Sequence, residues 1–207
     1  MKIKVCGITS IEQLQSLQDL GIDYAGMIFY PPSKRYAGVK LVDQQPLIKN
    51  TVIPKVGVFV NAEMEMVKQT IVDYGLTAVQ LHGDETDEFC LDLMDQVEVI
   101  KVFRIADQVN IDELVTPFQE VCHYYMFDTD TKMYGGSGKQ FNWNVLQQAA
   151  INKPFFLSGG IGLEDVDKVK AFQHPYFYAI DINSRFETEP GVKDINRVAL
   201  FVKELNA

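Results

Sequence analysis

The strongest constraint on the fold is a repeat of short apolar segments, each followed by a segment with helical periodicity. Eight apolar runs occur, at 2–8, 24–30, 55–60, 78–83, 97–105, 124–130, 154–161 and 176–184. Their apolar residues are continuous rather than alternating with polar ones, which indicates strands that are covered on both faces. Because a helix follows each strand, we expect parallel strands that are joined by right-handed crossovers.

Eight strand–helix units predict a closed (β/α)8 barrel, or TIM barrel, as a single domain over residues 1–207. A doubly wound open sheet is the alternative arrangement for the same order of elements. No linker, low-complexity segment or run of charge marks a second domain. In barrels of this class the functional groups lie at the C-terminal ends of the strands, so the candidate residues are sought there.

Composition limits the partners that the chain is expected to have. A formal net charge of −9 argues against nucleic acid and anionic membranes, whereas a small anion needs only a local site. No N-terminal signal pattern and no bilayer-spanning apolar run occur. The three cysteines are widely spaced and form no CxxC pair, which predicts a reducing cytoplasm, no disulfide framework and no metal site.

A phosphate site is predicted from the segments LSGGI and DINS, which end the seventh and eighth strands. The first contributes Gly159 and Gly160, and the second contributes Asp181, Asn183 and Ser184. The loops after strands 7 and 8 of such barrels often bind phosphate, and glycine lets the backbone approach an anion closely. We therefore expect a phosphorylated small-molecule substrate. The alternative is that the two glycines only form a tight turn.

Three further positions are candidates for substrate contacts. Gly136 lies in a GGSG loop at 135–138, which is either a lid, a further phosphate contact or a plain connector. Arg35 matches the bidentate geometry of a carboxylate, although a solvated surface arginine is the simpler interpretation. His82 ends the fourth strand and is either a ligand contact or a core histidine with its hydrogen bonds satisfied.

Cys6 and Asp128 are the candidate acid–base pair; the alternatives are a buried core cysteine and a helix-capping or hydrogen-bonded structural aspartate. Cys6 ends the first strand, and Lys4 lies on the same strand face, where its ammonium would lower the pKa of the thiol. Asp128 follows YYMF, and burial among aromatic rings would raise its pKa, as suits a general acid. Asp130 is the competing carboxyl. A thiolate base opposite a protonated carboxyl, beside a phosphate site, is the arrangement expected for isomerising a sugar phosphate.

Six segments occur in one order along the chain: KVCGIT, SKRY, QLHG, FDT followed by YGGSGKQFNW, LSGGI and DINSRFE. On these segments the sequence resembles the phosphoribosylanthranilate isomerases of tryptophan biosynthesis, from residue 2 to about 190. The resemblance implies an Amadori rearrangement of N-(5-phosphoribosyl)anthranilate to 1-(o-carboxyphenylamino)-1-deoxyribulose 5-phosphate.

The resemblance also implies roles for individual residues. Asp128 would protonate the furanose ring oxygen, Cys6 would remove the C2 proton, and Arg35 would hold the anthranilate carboxylate. The phosphate would lie on Gly159, Gly160, Asn183 and Ser184. No metal or organic cofactor is implied, because the nitrogen of the substrate acts as the electron sink. The oligomeric state is expected to be a monomer or a homodimer.

Two alternative functions are compatible with the same segments. One is a non-catalytic barrel that binds a phosphorylated ligand. The other is the related aminoimidazole isomerase of histidine biosynthesis, in which an aspartate ends the first strand where this chain has Cys6.

Overall fold

A computed structural model of the chain describes residues 1–106, 109–129 and 140–207. It contains a closed barrel of eight parallel strands, in which each strand pairs with the next and the eighth pairs with the first. The barrel strands are β1 (Lys2–Cys6), β2 (Tyr24–Ile28), β3 (Lys55–Phe59), β4 (Ala78–Leu81), β5 (Glu98–Ile105), β6 (Tyr124–Thr129), β7 (Phe155–Leu157) and β8 (Phe177–Ile182). The predicted (β/α)8 barrel is confirmed, and the closure excludes the doubly wound open sheet.

The α-helices surround the barrel. They are α1 (Ile11–Asp19), α2 (Ala37–Lys40), α3 (Gln45–Lys49), α4 (Met64–Tyr74), α5 (Asp87–Met94), α6 (Ile111–Val115), α7 (Asn144–Gln147), α8 (Val166–Ala171) and α9 (Ile195–Asn206). Side chains cap several N-termini: Ser10 accepts from the Gln13 amide, and Thr86 from the Phe89 amide. Within the described ranges, none of the helices combines the length and apolar character needed to cross a membrane.

Two segments add detail to the alternation of strands and helices. Pro46 lies in the first turn of α3, where its missing amide costs nothing. After β8, β9 (Glu187–Glu189) and β10 (Val192–Lys193) form a hairpin before α9 begins at Ile195.

The core has two parts, one between the strands and the helices and one inside the barrel. Inside the barrel, buried apolar side chains from seven of the eight strands, β2 to β8, pack together: Tyr24, Val56, Ala78, Ile100, Val102, Met126, Phe156 and Ala179. At the N-terminal end of the strands, the hydroxyls of Tyr24 and Tyr178 are 2.7 Å apart. Because aromatic side chains close this end, a polar site can form only at the C-terminal end.

Candidate active site

Cys6 and Lys4 lie side by side on β1, facing the interior of the barrel. Gly26 on the neighbouring strand marks their position, because a Cβ added there would lie 2.8 Å from Cys6 Sγ and 3.1 Å from Lys4 Nζ. Only a glycine leaves room for both groups at this point of β2. Lys4 and Cys6 are therefore neighbours on one strand face, as their two-residue spacing predicts.

A buried ion pair connects β1 to β8. Lys4 Nζ donates to Asp181 Oδ1 at 2.7 Å, and the two side chains are 0% and 7% exposed. Ser158, at the end of β7, donates through Oγ to Asp181 Oδ2 at 3.3 Å and also hydrogen-bonds Asp128. A chain of polar contacts thus connects Lys4, which lies beside Cys6, to Asp128 on β6. Asp181, which was predicted to bind substrate, forms the anionic partner of Lys4 in this structure.

Asp128 lies near the end of β6 with 16% of its side chain exposed. Burial raises its pKa to about 7, although the Thr129 amide donates to Oδ1 at 2.7 Å and opposes the shift. The negative charge of Asp181 adds to the rise, and Lys4 reduces it. The pKa expected for a carboxyl that follows YYMF is confirmed, and the group is half protonated near neutral pH.

The pKa of Cys6 depends on burial and on two nearby cations. Burial raises the pKa of the thiol above its ordinary value, because the residue is only 4% exposed. Lys4 lowers the pKa as predicted, and Lys193 does so too, but these effects are smaller than that of burial. The thiol is therefore protonated at neutral pH in the free protein.

His82 belongs to the polar cluster rather than to an apolar core. Its Nε2 is 3.5 Å from Asp128 Oδ2, and its Nδ1 is 2.9 Å from Gln80 Nε2. Burial, followed by the charge of Lys4, lowers the pKa of His82 to about 3, so the ring is neutral. Because an amide nitrogen only donates, His82 Nδ1 accepts this hydrogen bond, and Nε2–H is directed towards Asp128. Gln80 was not identified from the sequence.

Arg35 is not a solvated surface arginine. Its side chain is 15% exposed, and it donates to the Glu187 carboxylate from Nε at 2.8 Å and from Nη2 at 2.6 Å. These hydrogen bonds raise the pKa of Arg35 further above its ordinary value. Lys193 Nζ donates to the same carboxylate and to Asn183 Oδ1, at 2.7 Å in both cases. Sequence reasoning missed Glu187 and Lys193 because it did not predict the β9–β10 hairpin.

The loop after β7 has the geometry of a tight turn that requires glycine. Gly159 and Gly160 have φ of +99° and +65°, and a Cβ added to Gly159 would meet Thr129 Oγ1 and lie 3.2 Å from Asp128 Oδ1. In the described part of the chain, no hydrogen bond is recorded from the amides of these two glycines. The tight turn and an anion-binding role are therefore compatible.

The loop after β8 continues into a 3-10 turn at Ser184–Phe186, which follows Asn183 directly. Since β7 pairs with β8, this loop and the glycine turn leave the barrel from adjacent strands. Gly136 and the competing carboxyl Asp130 lie outside the described residues. Within the described ranges, no group of His, Cys, Asp and Glu side chains is arranged to hold a metal ion.

A family profile and individual relatives that match this sequence all carry the same description. The sequence profile of the family described as N-(5'phosphoribosyl)anthranilate (PRA) isomerase matches residues 3–204. A protein of Parabacteroides distasonis named N-(5'-phosphoribosyl)anthranilate isomerase is 39% identical over 207 residues, covering 99% of this chain and 93% of that relative. One of the same name from Phocaeicola vulgatus is 39% identical over 206 residues, covering 99% and 98%.

Solved structures agree with the sequence relatives. The phosphoribosyl anthranilate isomerase of Thermotoga maritima superposes with a TM-score of 0.85 at 32% identity, covering 100% of this chain and 98% of that one. A second structure has a TM-score of 0.82 at 28% identity, covers 100% and 98%, and is described as a complex with reduced 1-(o-carboxyphenylamino)-1-deoxyribulose 5-phosphate. From the profile match, the sequence relatives and the barrel, we conclude that this chain belongs to the N-(5'-phosphoribosyl)anthranilate isomerase family.

Proposed function

We propose that Asp128 and Cys6 are the general acid and general base with which this chain isomerises N-(5'-phosphoribosyl)anthranilate to 1-(o-carboxyphenylamino)-1-deoxyribulose 5-phosphate, a step of tryptophan biosynthesis. The observation that carries the residue assignment is the Asp128 carboxyl at the barrel mouth, whose pKa burial raises to about 7. A carboxyl with this pKa holds a proton near neutral pH and is still acidic enough to give it up.

In the first step Asp128 donates its proton to the ring oxygen of the furanose. The bond between C1 and this oxygen breaks, and the lone pair of the anthranilate nitrogen forms the C1=N double bond of an iminium ion. His82 supports this role, because it is neutral and directs Nε2–H at the carboxyl from 3.5 Å, so that the N–H dipole favours the carboxylate that the step produces.

In the second step the thiolate of Cys6 removes the proton from C2, which the iminium ion has made acidic. The C2–H electron pair becomes the C1=C2 double bond, and the C1=N electrons return to nitrogen. The enolamine then becomes the ketone by losing the hydroxyl proton at C2 and gaining a proton at C1. Lys4 lies beside the thiol and stabilises the thiolate that this step requires.

The two ends of the substrate have separate binding groups in this proposal. The phosphate lies at the Gly159–Gly160 turn, where both glycines have positive φ, and at Asn183 and Ser184, which follow the adjacent strand. Arg35 binds the anthranilate carboxylate. Gly136 remains a candidate phosphate contact, and Asp181 acts through its ion pair with Lys4 rather than on the substrate directly.

The assay follows the loss of fluorescence of N-(5'-phosphoribosyl)anthranilate with purified protein. We expect turnover by the wild type and a loss of about 10²–10⁴ in kcat for Cys6→Ala and Asp128→Asn. Matched controls are Cys122→Ala, a buried cysteine whose thiol donates to the Phe118 carbonyl, and Asp92→Asn, an exposed helical carboxyl. Absence of turnover by folded wild type would favour a non-catalytic barrel, and turnover of the aminoimidazole substrate would indicate a dual-substrate enzyme.

We also propose that the protein acts in the cytoplasm as a monomer or a homodimer. One similar solved structure is described as monomers generated from a dimeric isomerase of Thermotoga maritima. Light scattering after size-exclusion chromatography measures the mass directly, and a mass above that of two chains would contradict the proposal.

A further inference from the structure

Glu187 joins three elements at the mouth of the barrel. Its carboxylate accepts hydrogen bonds from Arg35 after β2, from Lys193 Nζ at 2.7 Å and from the Gly191 amide at 3.1 Å. The side chains of Glu187 and Lys193 are 4% and 0% exposed. Two cations therefore share one buried carboxylate, which leaves a net positive charge at this point of the site.

The contact with Glu187 uses only one edge of the Arg35 guanidinium. Nε donates to both carboxylate oxygens, at 2.8 and 3.0 Å, and Nη2 donates one hydrogen at 2.6 Å. A guanidinium has five N–H donors in a fixed plane, so three remain, on Nη1 and on the other side of Nη2. No contact of that second edge is recorded among the described residues. Its geometry is the one that binds a carboxylate bidentately.

The hairpin that carries Glu187 is fixed against the segment that follows Cys6. The Gly191 carbonyl accepts from the Thr9 hydroxyl and from Gln13 Nε2 at 3.0 Å, and the Lys193 amide donates to Gln13 Oε1 at 3.2 Å. Contacts with the β1–α1 loop and the start of α1 therefore fix the hairpin that carries Glu187, and these contacts do not involve Arg35.

The same groups converge on the residue next to the thiol. A Cβ added to Gly7 would lie 2.8 Å from Arg35 Cδ, 2.7 Å from Asn183 Oδ1 and 3.4 Å from Lys193 Nζ. Arg35 thus passes directly over the backbone that follows Cys6, beside the proposed base.

We propose that Glu187 is a positioning residue for carboxylate recognition: it holds Arg35 by the Nε–Nη2 edge and so presents the Nη1–Nη2 edge to the aromatic carboxylate of the substrate. The inference rests on the proposed function. Glu187 does not contact the substrate itself, and it determines specificity by fixing the direction of the guanidinium.

The test compares two substrates that differ only in the carboxylate: N-(5'-phosphoribosyl)anthranilate and the ribosylamine that is made with aniline in place of anthranilate. The measured quantity is the ratio of their kcat/KM values, with the aminoketose products quantified by chromatography. Glu187→Gln is expected to lower this ratio about tenfold, the value of one charge-assisted hydrogen bond. For the anthranilate substrate the change is expected mainly in KM, because Arg35 binds the carboxylate equally in the ground and transition states.

A double mutant tests whether Glu187 affects carboxylate recognition through Arg35. Arg35→Met is expected to lower the ratio at least as far, and adding Glu187→Gln to it should leave the ratio unchanged. Glu189→Gln, an exposed carboxyl on the same strand of the hairpin, should leave both kcat/KM values at the wild-type level. Thermal unfolding checks that each variant is folded; if Glu187→Gln is not, Glu187→Asp replaces it and is expected to give a smaller fall in the ratio.

An equal loss of kcat/KM for both substrates would overturn the inference, because it would show that Glu187 only stabilises the hairpin. A further fall in the ratio on the Arg35→Met background would overturn it too. Failure of the proposed function is distinguishable, since in that case the wild type itself would not convert N-(5'-phosphoribosyl)anthranilate.

Discussion

The raised pKa on which the proposed acid–base role of Asp128 depends has a thermodynamic consequence that is measurable without any substrate. Its pKa is about 7 in the folded protein and 3.8 for the unperturbed group. Because the folded state holds the proton more tightly than the unfolded state, ionising Asp128 disfavours folding. The contribution of Asp128 to stability is therefore fully present below pH 3.8 and is lost as the pH rises through about 7.

The size of the effect follows from the same two values. At about 1.4 kcal/mol per pH unit, the difference between 3.8 and about 7 corresponds to about 4 kcal/mol of lost stability above pH 8. At pH 4 the loss is below about 1 kcal/mol, since Asp128 is then protonated in the folded state and only about half ionised in the unfolded state. Asp128→Asn removes the titration, so the free energy of unfolding of the variant relative to wild type should rise by about 3–4 kcal/mol between pH 4 and pH 8.

Reversible urea unfolding at pH 4, 5, 6, 7 and 8 measures this difference. Hydrogen bonds that the asparagine gains or loses are the same at every pH. They therefore shift the difference in free energy of unfolding by a constant amount and do not change its dependence on pH. Asp92→Asn, at an exposed position on α5, controls for the general effect of removing a carboxylate. A difference between Asp128→Asn and wild type that stays flat from pH 4 to pH 8 would refute the reasoning, because it would show that the carboxyl is not desolvated.

The remaining predictions concern the catalytic cluster. Cys6→Ala is expected to lower kcat by about 10²–10⁴ with little change in KM, and a kcat near that of wild type would assign the base to another group. The pH profile of kcat/KM is expected to be bell-shaped, rising to a break near pH 7 set by Asp128 and falling in the alkaline range with Cys6, whose pKa burial raises; a rising limb that breaks near pH 4 would contradict the raised pKa of the carboxyl. Lys4→Met is expected to destabilise the fold by about 3–5 kcal/mol in urea unfolding, because it leaves Asp181 buried without its partner; a loss below about 1 kcal/mol would show that the pair adds little.

The strands were predictable because each is an apolar run bounded by glycine, proline or polar residues, and this pattern depends only on local sequence. All eight strands lie within the predicted segments, with ends that differ by a few residues. The β9–β10 hairpin was not predictable in the same way. Its strands are short and exposed on one side, and it is stabilised by contacts of Gly191 with Thr9 and Gln13, which are far apart from it in sequence.

The site was predictable where the strand pattern determines which side chains face the barrel. Lys4, Cys6 and Asp128 lie on the inner face because alternate residues of a strand share a face. The direction of the Cys6 pKa was not predictable, because it depends on the balance between burial and nearby charges. The Arg35–Glu187 ion pair could not be predicted from the sequence either, since its partners are 152 residues apart.

The two pKa values together define which protonation state can react. The proposed mechanism needs Cys6 as a thiolate while Asp128 still carries its proton, yet burial raises the pKa of the thiol and that of the carboxyl to about 7. Near neutral pH, the form with both groups in the reactive state is therefore a small fraction of the protein. The low population is offset by reactivity, because a thiol of high pKa gives a stronger base. Lys4 and Lys193 lower the pKa of Cys6 and so oppose the effect of burial. In the proposed mechanism, these two charges increase the fraction of the protein in which Cys6 is a thiolate.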